Sequence, residues 1–381
     1  MTACRDTEVR ETNRGLARFE YEQGRTVLQS KPRALFIELT RHCNLACPMC
    51  RYPGEVPPTQ RMSDALFARV EEELFPTADL IDLRGWGESL VLPEFTDRAR
   101  RASRYGASLR IVTNLSFRRD AVLDLLADLG FYIGVSIDSA DAEVLSFLRG
   151  GAKLAVIEAN LARLSERYRA QGLQDRLNLY VTLQAPALPR LEEIVDLAVR
   201  HRIDDVRLAP VGTSLTFLSL STVQTELREA IERVRQRAAG TNVRVSVTAS
   251  PLEGMLPNEN TGACVHPWMW CYVTYEGRVG FCDHLIAADH YTLGSLTTDS
   301  FDRIWNGAAW VALREEHVRG RRATAPYFHE CAWCYRNRHT DCEDIVEPPQ
   351  AVHRLTLYPP RAARASSPVA LAPKQSVHDS I

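Results

Sequence analysis

A regular alternation of strand-like and helix-like segments occupies residues 34–210 and constrains the fold more than any other feature. Apolar runs at 34–39, 79–84, 108–113, 131–137, 177–183 and 205–210 read as strands. Helical periodicity fills the intervals near 63–75, 94–105, 119–129, 153–170 and 190–201, with apolar residues three and four apart, as in Leu123, Leu126 and Leu129. Strands separated by helices of this length pair in parallel through crossovers, which makes the fold α/β. Reactive side chains in such folds gather at the C-terminal ends of the strands, where loops vary without disturbing the core.

The loop after the first strand carries the densest chemistry. Residues 38–50 read Glu-Leu-Thr-Arg-His-Cys-Asn-Leu-Ala-Cys-Pro-Met-Cys, placing Cys43, Cys47 and Cys50 in a C-x3-C-x2-C spacing. Three thiolates this close can converge on one iron–sulfur cube and leave its fourth iron without a protein ligand. A zinc knuckle or three unrelated buried thiols are the competing readings. Zinc needs a fourth nearby Cys or His, and His42, adjacent to Cys43, is poorly placed to supply it.

The triad and its place after the first strand resemble the signature of the radical S-adenosylmethionine (radical SAM) superfamily. The resemblance implies a partial (β/α)6 TIM barrel with a [4Fe–4S] cluster whose open iron chelates SAM. An electron from the cluster, delivered by a donor such as flavodoxin or ferredoxin, would cleave SAM to a 5′-deoxyadenosyl radical. It also implies SAM contacts at several strand ends. Arg84-Gly85-Trp86-Gly87-Glu88-Ser89 is similar to the family's Gly-Gly-Glu-Pro motif, departing from it at Trp86 and Ser89. Gly85 and Gly87 would let backbone carbonyls approach the SAM amino group, and Glu88 would add a charge-assisted hydrogen bond. Asn114 ends the third strand. Ser136 and Asp138 share one face at the end of the fourth, as two groups on a common ligand would. Capping of the next helix is the alternative role there, expected above all of Ser139 or Asp141.

A second cysteine group begins at Cys264 and continues through Cys271, Cys282, Cys331, Cys334 and Cys342. Glu276-Gly277 lies between two apolar runs and reads as a hairpin turn. The order Cys264, Pro267-Trp268, Gly277 to Cys282, Ile304-Trp305-Asn306 and Cys331-x2-Cys334 resembles the C-terminal SPASM/twitch extension of radical SAM enzymes. That resemblance implies Cys264, Cys282, Cys331 and Cys334 as ligands of one auxiliary [4Fe–4S] cluster, with zinc as the alternative. Cys271 and Cys342 are left as alternate ligands, spare buried thiols, or a catalytic hydrogen-atom donor to a substrate radical. His266, His284 and His339 are expected to hydrogen-bond around the cluster.

The expected organisation is a lead-in helix and strand (1–30), the barrel (31–212), a bridging helix and strand (213–255), the auxiliary-cluster domain (256–345) and a tail disordered by composition (346–381). A net charge of −2 directs the chain to neither nucleic acid nor an anionic membrane, and no run of eighteen apolar residues exists. With no signal-peptide core, nine of the ten cysteines grouped at metal-like spacings, Cys4 standing apart, point to a cytoplasmic protein. The lead-in is short beside the leader-binding domain that many peptide-modifying relatives carry. The expected substrate is therefore a small carbohydrate-type molecule of antibiotic biosynthesis, an aminocyclitol, aminosugar or sugar nucleoside, to be dehydrogenated, epimerised or decarboxylated by an oxidoreductase or lyase. Maturation of a ribosomally made peptide is the alternative; a non-catalytic zinc protein is the alternative of another class.

Overall fold

The computed structural model describes residues 2–50, 56–247, 264–282 and 291–319, the side chains of 2–7 excepted. Seven strands run parallel in sequence order: β1 (Ala34–Ile37), β2 (Leu80–Asp82), β3 (Ser108–Thr113), β4 (Tyr132–Ser136), β5 (Leu177–Leu183), β6 (Asp205–Pro210) and β7 (Arg244–Val247). The intervening helices are α2 (Asp64–Leu74), α3 (Phe95–Ser103), α4 (Asp120–Asp128), α5 (Ala142–Leu148), α6 (Leu154–Ala170), α7 (Glu193–Arg200) and α8 (Gln224–Ala238), after an N-terminal α1 (Thr2–Glu22). The central strands are buried on both faces, as helix-covered parallel strands must be. A large apolar core spans residues from Leu28 to Leu313, with a small separate cluster of Leu148, Ala187 and Leu218.

The sheet extends beyond the expected six strands at both edges. β7 joins β6 in parallel, so the segment expected to bridge two domains completes the barrel wall. At the other edge β8 (Trp270–Val273), preceded by the short α9 (His266–Met269), pairs in parallel with β1, and β9 (Arg278–Gly280) and β10 (Gly294–Ser295) follow antiparallel. The β8–β9 turn is the one expected at Glu276-Gly277, with Gly277 at φ 88°, in the left-handed region that favours glycine. Parallel pairing of β8 with β1 is a contact between residues more than 200 apart, which no local pattern reveals.

The N-terminal segment is one long helix, and no strand occurs among its described residues. The lead-in to β1 is held by the C-terminal elements α10 (Phe301–Trp305) and α11 (Ala308–Arg319). Asn306 exchanges two 2.8 Å hydrogen bonds with the Leu28 backbone, and the Trp305 indole N–H donates to the Ser30 carbonyl at 2.7 Å. The Ile304-Trp305-Asn306 motif therefore clamps the chain entering β1, the strand that leads into the cysteine loop.

Candidate active site

The cysteine loop lies across the C-terminal ends of β1 to β4 and is braced by three neighbouring segments. After β2, the amides of Gly87 and Glu88 donate to the carbonyls of Thr40 and His42, at 3.2 and 2.9 Å. A Cβ on Gly87 would stand 2.6 Å from the Arg41 carbonyl carbon and 2.7 Å from the Thr40 oxygen; one on Gly85 would stand 2.9 Å from Glu38 Cβ. The glycines are thus needed for contact with the cysteine loop itself, a packing reason that the sequence reading missed. After β4 and α5, Gly150 adopts φ 50°, accepts the Ala46 amide at 3.4 Å, and would drive any Cβ to 2.6 Å from the Cys47 nitrogen.

After β3, Asn114 reaches the first cysteine. Its amide nitrogen donates to Cys43 Sγ at 3.7 Å and to Asn44 Oδ1 at 2.9 Å. The Glu88 carboxylate accepts the backbone N–H of Asn114 at 2.7 Å and of Leu90 at 3.2 Å, tying β2 to β3. Burial lifts its pKa to about 7 against those hydrogen bonds.

Asp138, fully buried, pairs with Arg149 at 2.6 Å and accepts the Thr182 amide at 2.8 Å and Gln184 Nε2 at 2.9 Å. Both of its oxygens are engaged by these partners, and it orients Arg149. Burial opposes the Arg149 charge, and the neighbouring Asp138 together with Cys47 and Cys50 outweighs that, raising its pKa. The Arg149 charge is felt at Cys47 and Cys50. Ser136 shares the inward face of β4 and is half-buried. Asp141 caps α5 through the amides of Glu143 and Val144, and Ser139 accepts the Asp141 amide, as capping residues do. Glu38, Arg149, Gly150 and Gln184 are site residues that the sequence reading did not select. The Arg149-Gly150-Gly151 run was the available signal.

The three thiols fit an iron–sulfur cluster. Burial pushes Cys43 up to about 12 and Cys47 to about 11, so each needs an adjacent cationic centre to ionise. Among the described residues no three His, Cys, Asp or Glu groups converge on a single metal ion. A cubane takes each thiolate at a separate iron and needs no such common point. His42 Nδ1 lies 2.7 Å from the Val56 carbonyl and is committed there.

In the second cysteine group, Cys264 and Cys282 are buried, while Cys331, Cys334, Cys342, His284 and His339 lie outside the described residues. Cys271 is fully buried on β8 beside Leu35 of β1, whereas its neighbour Tyr272 stacks on Phe36 at 6.1 Å inside the barrel. Strand alternation therefore turns Cys271 away from the interior, which removes it as a hydrogen-atom donor to a substrate held there. His266 stacks on Trp270 with ring centres 3.6 Å apart.

Residues 37–181 match the family model of the radical SAM superfamily, and residues 264–335 match that of an iron–sulfur cluster-binding domain. The chain belongs to the radical SAM superfamily. Membership implies a [4Fe–4S] cluster with SAM, and the second domain implies an auxiliary cluster. This radical SAM chain is 24% identical to the AdoMet-dependent heme synthase of Methanosarcina barkeri, over 86% of this chain and 98% of that protein. It is 26% identical to the mycofactocin maturase MftC of Mycobacterium ulcerans, over 79% and 82% respectively. To the PqqA peptide cyclase of Streptomyces rochei it is 27% identical, over 81% and 83%. Its fold is similar to that of anSMEcpe with bound AdoMet (TM-score 0.59, 16% identity, 84% of this chain and 92% of that one). It also resembles Streptococcus suis SuiB bound to precursor peptide SuiA (TM-score 0.58, 13% identity, 78% and 70%). No helix among the described residues is long and apolar enough to cross a membrane.

Proposed function

We propose that this radical SAM enzyme modifies a peptide. The observation that carries this is the likeness to the PqqA peptide cyclase along 81% of the chain, joined by the maturase MftC over 79%. The carbohydrate-type substrate expected from the sequence, and the antibiotic pathway attached to it, give way to this reading. A tetrapyrrole substrate is the second reading, favoured by a match that spans 98% of the heme synthase.

In the proposed site Cys43, Cys47 and Cys50 hold the SAM-binding cluster. When bound, cluster and SAM supply reductive cleavage of SAM and hydrogen abstraction from the substrate. The protein's part is to hold these groups in register and exclude water. Asn114 directs an N–H at the Cys43 sulfur, Arg149 places positive charge beside Cys47 and Cys50, and Gly85, Gly87 and Gly150 let the loop close against the barrel rim. Ser136 is the proposed polar contact to SAM on β4, while Glu88 and Asp138 act by positioning Asn114 and Arg149. Cys264 and Cys282, with Cys331 and Cys334, are the proposed auxiliary-cluster ligands.

The test incubates reconstituted enzyme with SAM, reductant and peptides encoded beside its gene, followed by mass spectrometry. A modified peptide formed with equimolar 5′-deoxyadenosine supports the reading. Deoxyadenosine coupled instead to an iron porphyrin bearing carboxylate side chains would overturn it.

A further inference from the structure

The barrel rim carries an apolar patch outside the residues assigned to cluster and SAM. Among the described phenylalanines three are exposed: Phe19 of α1 (52%), Phe147 of α5 (52%) and Phe217 in the turn after β6 (50%). Phe147 and Phe217 meet, with ring centres 6.1 Å apart and planes at 51°. Their chain neighbours Leu148 and Leu218 are buried with Ala187 in the small cluster separate from the main core, and Val144 and Met49 pack against it. These residues come from α5, the turn Ala185–Arg190 after β5, the turn after β6 and the cysteine loop. The cluster is therefore built entirely from segments that follow the C-terminal ends of strands. Met49 stands between Cys47 and Cys50, which makes the patch continuous with the loop that generates the radical.

We propose that Phe147 and Phe217, with the exposed Leu215 on the same turn, form a platform that binds an apolar side chain of the peptide substrate close to the residue being modified. The inference rests on the peptide-modifying reading and sharpens it to a peptide with an uncharged segment, aromatic or branched aliphatic, beside its reacting residue. Aromatic rings that touch each other while half of each faces water gain when a third apolar side chain covers both. Single exposed apolar residues are ordinary, whereas a contacting pair continuous with an active site marks a binding surface. The chemistry around the rings disfavours a charged ligand. Residues 208–225 contain no charged residue, although 25% of the whole chain is charged. A carboxylate or ammonium pressed against this stretch would lose water and meet no counter-charge within it.

The platform is preformed and within reach of the chemistry. The Leu218 and Ser219 amides both donate to the Leu215 carbonyl at 3.1 Å, and the Ala185 amide donates to the Leu218 carbonyl at 3.1 Å, fixing the turn to the segment after β5. Thr213 Oγ1 accepts the Leu215 amide at 3.1 Å and Ser219 Oγ the Ser221 amide at 3.2 Å, so hydroxyls of the turn hold its shape from within. On α5, Val144, Phe147 and Leu148 share one helical stripe, which keeps Phe147 beside the small cluster. A surface already in its binding shape spares the ligand the cost of ordering it. Three residues after Phe147, Gly150 accepts the Ala46 amide beside Cys47. Three Cα steps span at most about 11 Å, so an extended peptide held on Phe147 reaches the cysteine loop within roughly three to five residues.

The test titrates the reconstituted holoenzyme with SAM against blocked peptides, acetyl-Gly-Gly-Phe-Leu-Gly-Gly-amide and its counterparts with Ser-Ser or Glu-Glu at the centre, read by ligand-observed NMR. The Phe-Leu peptide should bind saturably and about tenfold or more tightly than either counterpart. Phe147→Ser and Phe217→Ser should each weaken it by about fivefold or more, and Phe217→Leu should recover part of the loss. Phe19→Ser, at an equally exposed phenylalanine on α1, should change nothing. Equal affinity for the peptides, no saturable binding, or unaltered binding in folded Phe147→Ser and Phe217→Ser proteins would overturn the proposal. So would a dimer that dissociates on Phe217→Ser with peptide affinity retained, which assigns the face to a second copy of this chain. Turnover of the peptide encoded beside the gene separates the two claims. Its modification with the same KM in wild type, Phe147→Ser and Phe217→Ser removes only the platform. No modified peptide, with an iron porphyrin turned over instead, removes the peptide reading and the platform with it.

Discussion

Gly150 and Gly151 provide a matched pair that tests how the cysteine loop is held. Both have positive φ, at 50° and 92°, so an alanine at either position costs ~1–2 kcal/mol in backbone strain. Only Gly150 meets the loop: its added Cβ would press on the Ala46 carbonyl and stand 2.6 Å from the Cys47 nitrogen, while nothing lies within 4 Å of a Cβ on Gly151. Overlap with backbone in a packed site costs a further ~1–3 kcal/mol, because the loop must move. Gly150→Ala should therefore be about 1–3 kcal/mol less stable than Gly151→Ala in denaturant unfolding of the cluster-free protein. It should also retain less iron after anaerobic reconstitution. Equal stability and equal iron in the two variants would refute the claim that Gly150 buttresses the cysteine loop.

Other consequences follow from individual contacts. Asp138→Asn leaves Arg149 buried without its charge partner and should lower stability by about 3–5 kcal/mol, read from the denaturant midpoint; a loss below about 1 kcal/mol would contradict the pairing. Glu88 has a folded pKa of about 7, above its unfolded value, so its contribution is complete below the unfolded pKa and fades as pH rises through 7. Stability of the cluster-free protein should then decline by up to ~3 kcal/mol from about pH 5 to 8, and Glu88→Gln should flatten that decline. Cys271→Ala should leave deoxyadenosine formation and substrate turnover within about twofold of wild type, at a cost near 1 kcal/mol from the lost packing; loss of turnover in the folded variant would restore a hydrogen-donor role.

The parallel sheet was legible because strand and helix periods alternate over long stretches, and the observed β1 to β6 fall within the expected runs. The seven-residue α5 escaped because two helical turns give periodicity little room, although Asp141 marked its start. The continuity of β8 with β1 was not legible, since pairing between strands so distant in sequence leaves no local pattern. At the site, the shared face of Ser136 and Asp138 was legible from strand alternation, and the side chains that meet them were not. Ser136 and Asp138 do share a face, yet Asp138 is saturated by Arg149, Thr182 and Gln184, which approach from other elements. The glycines after β2 were noticed for a ligand and are required first by the backbone of the cysteine loop.

The central claim is that Cys43, Cys47 and Cys50 form the site of radical generation, and the most direct test is formation of 5′-deoxyadenosine by anaerobically reconstituted protein given SAM and reductant. The wild-type chain should form it, and the Cys43→Ala/Cys47→Ala/Cys50→Ala variant, in which the second cysteine group is intact, should form none. Deoxyadenosine formed equally by that variant would contradict it.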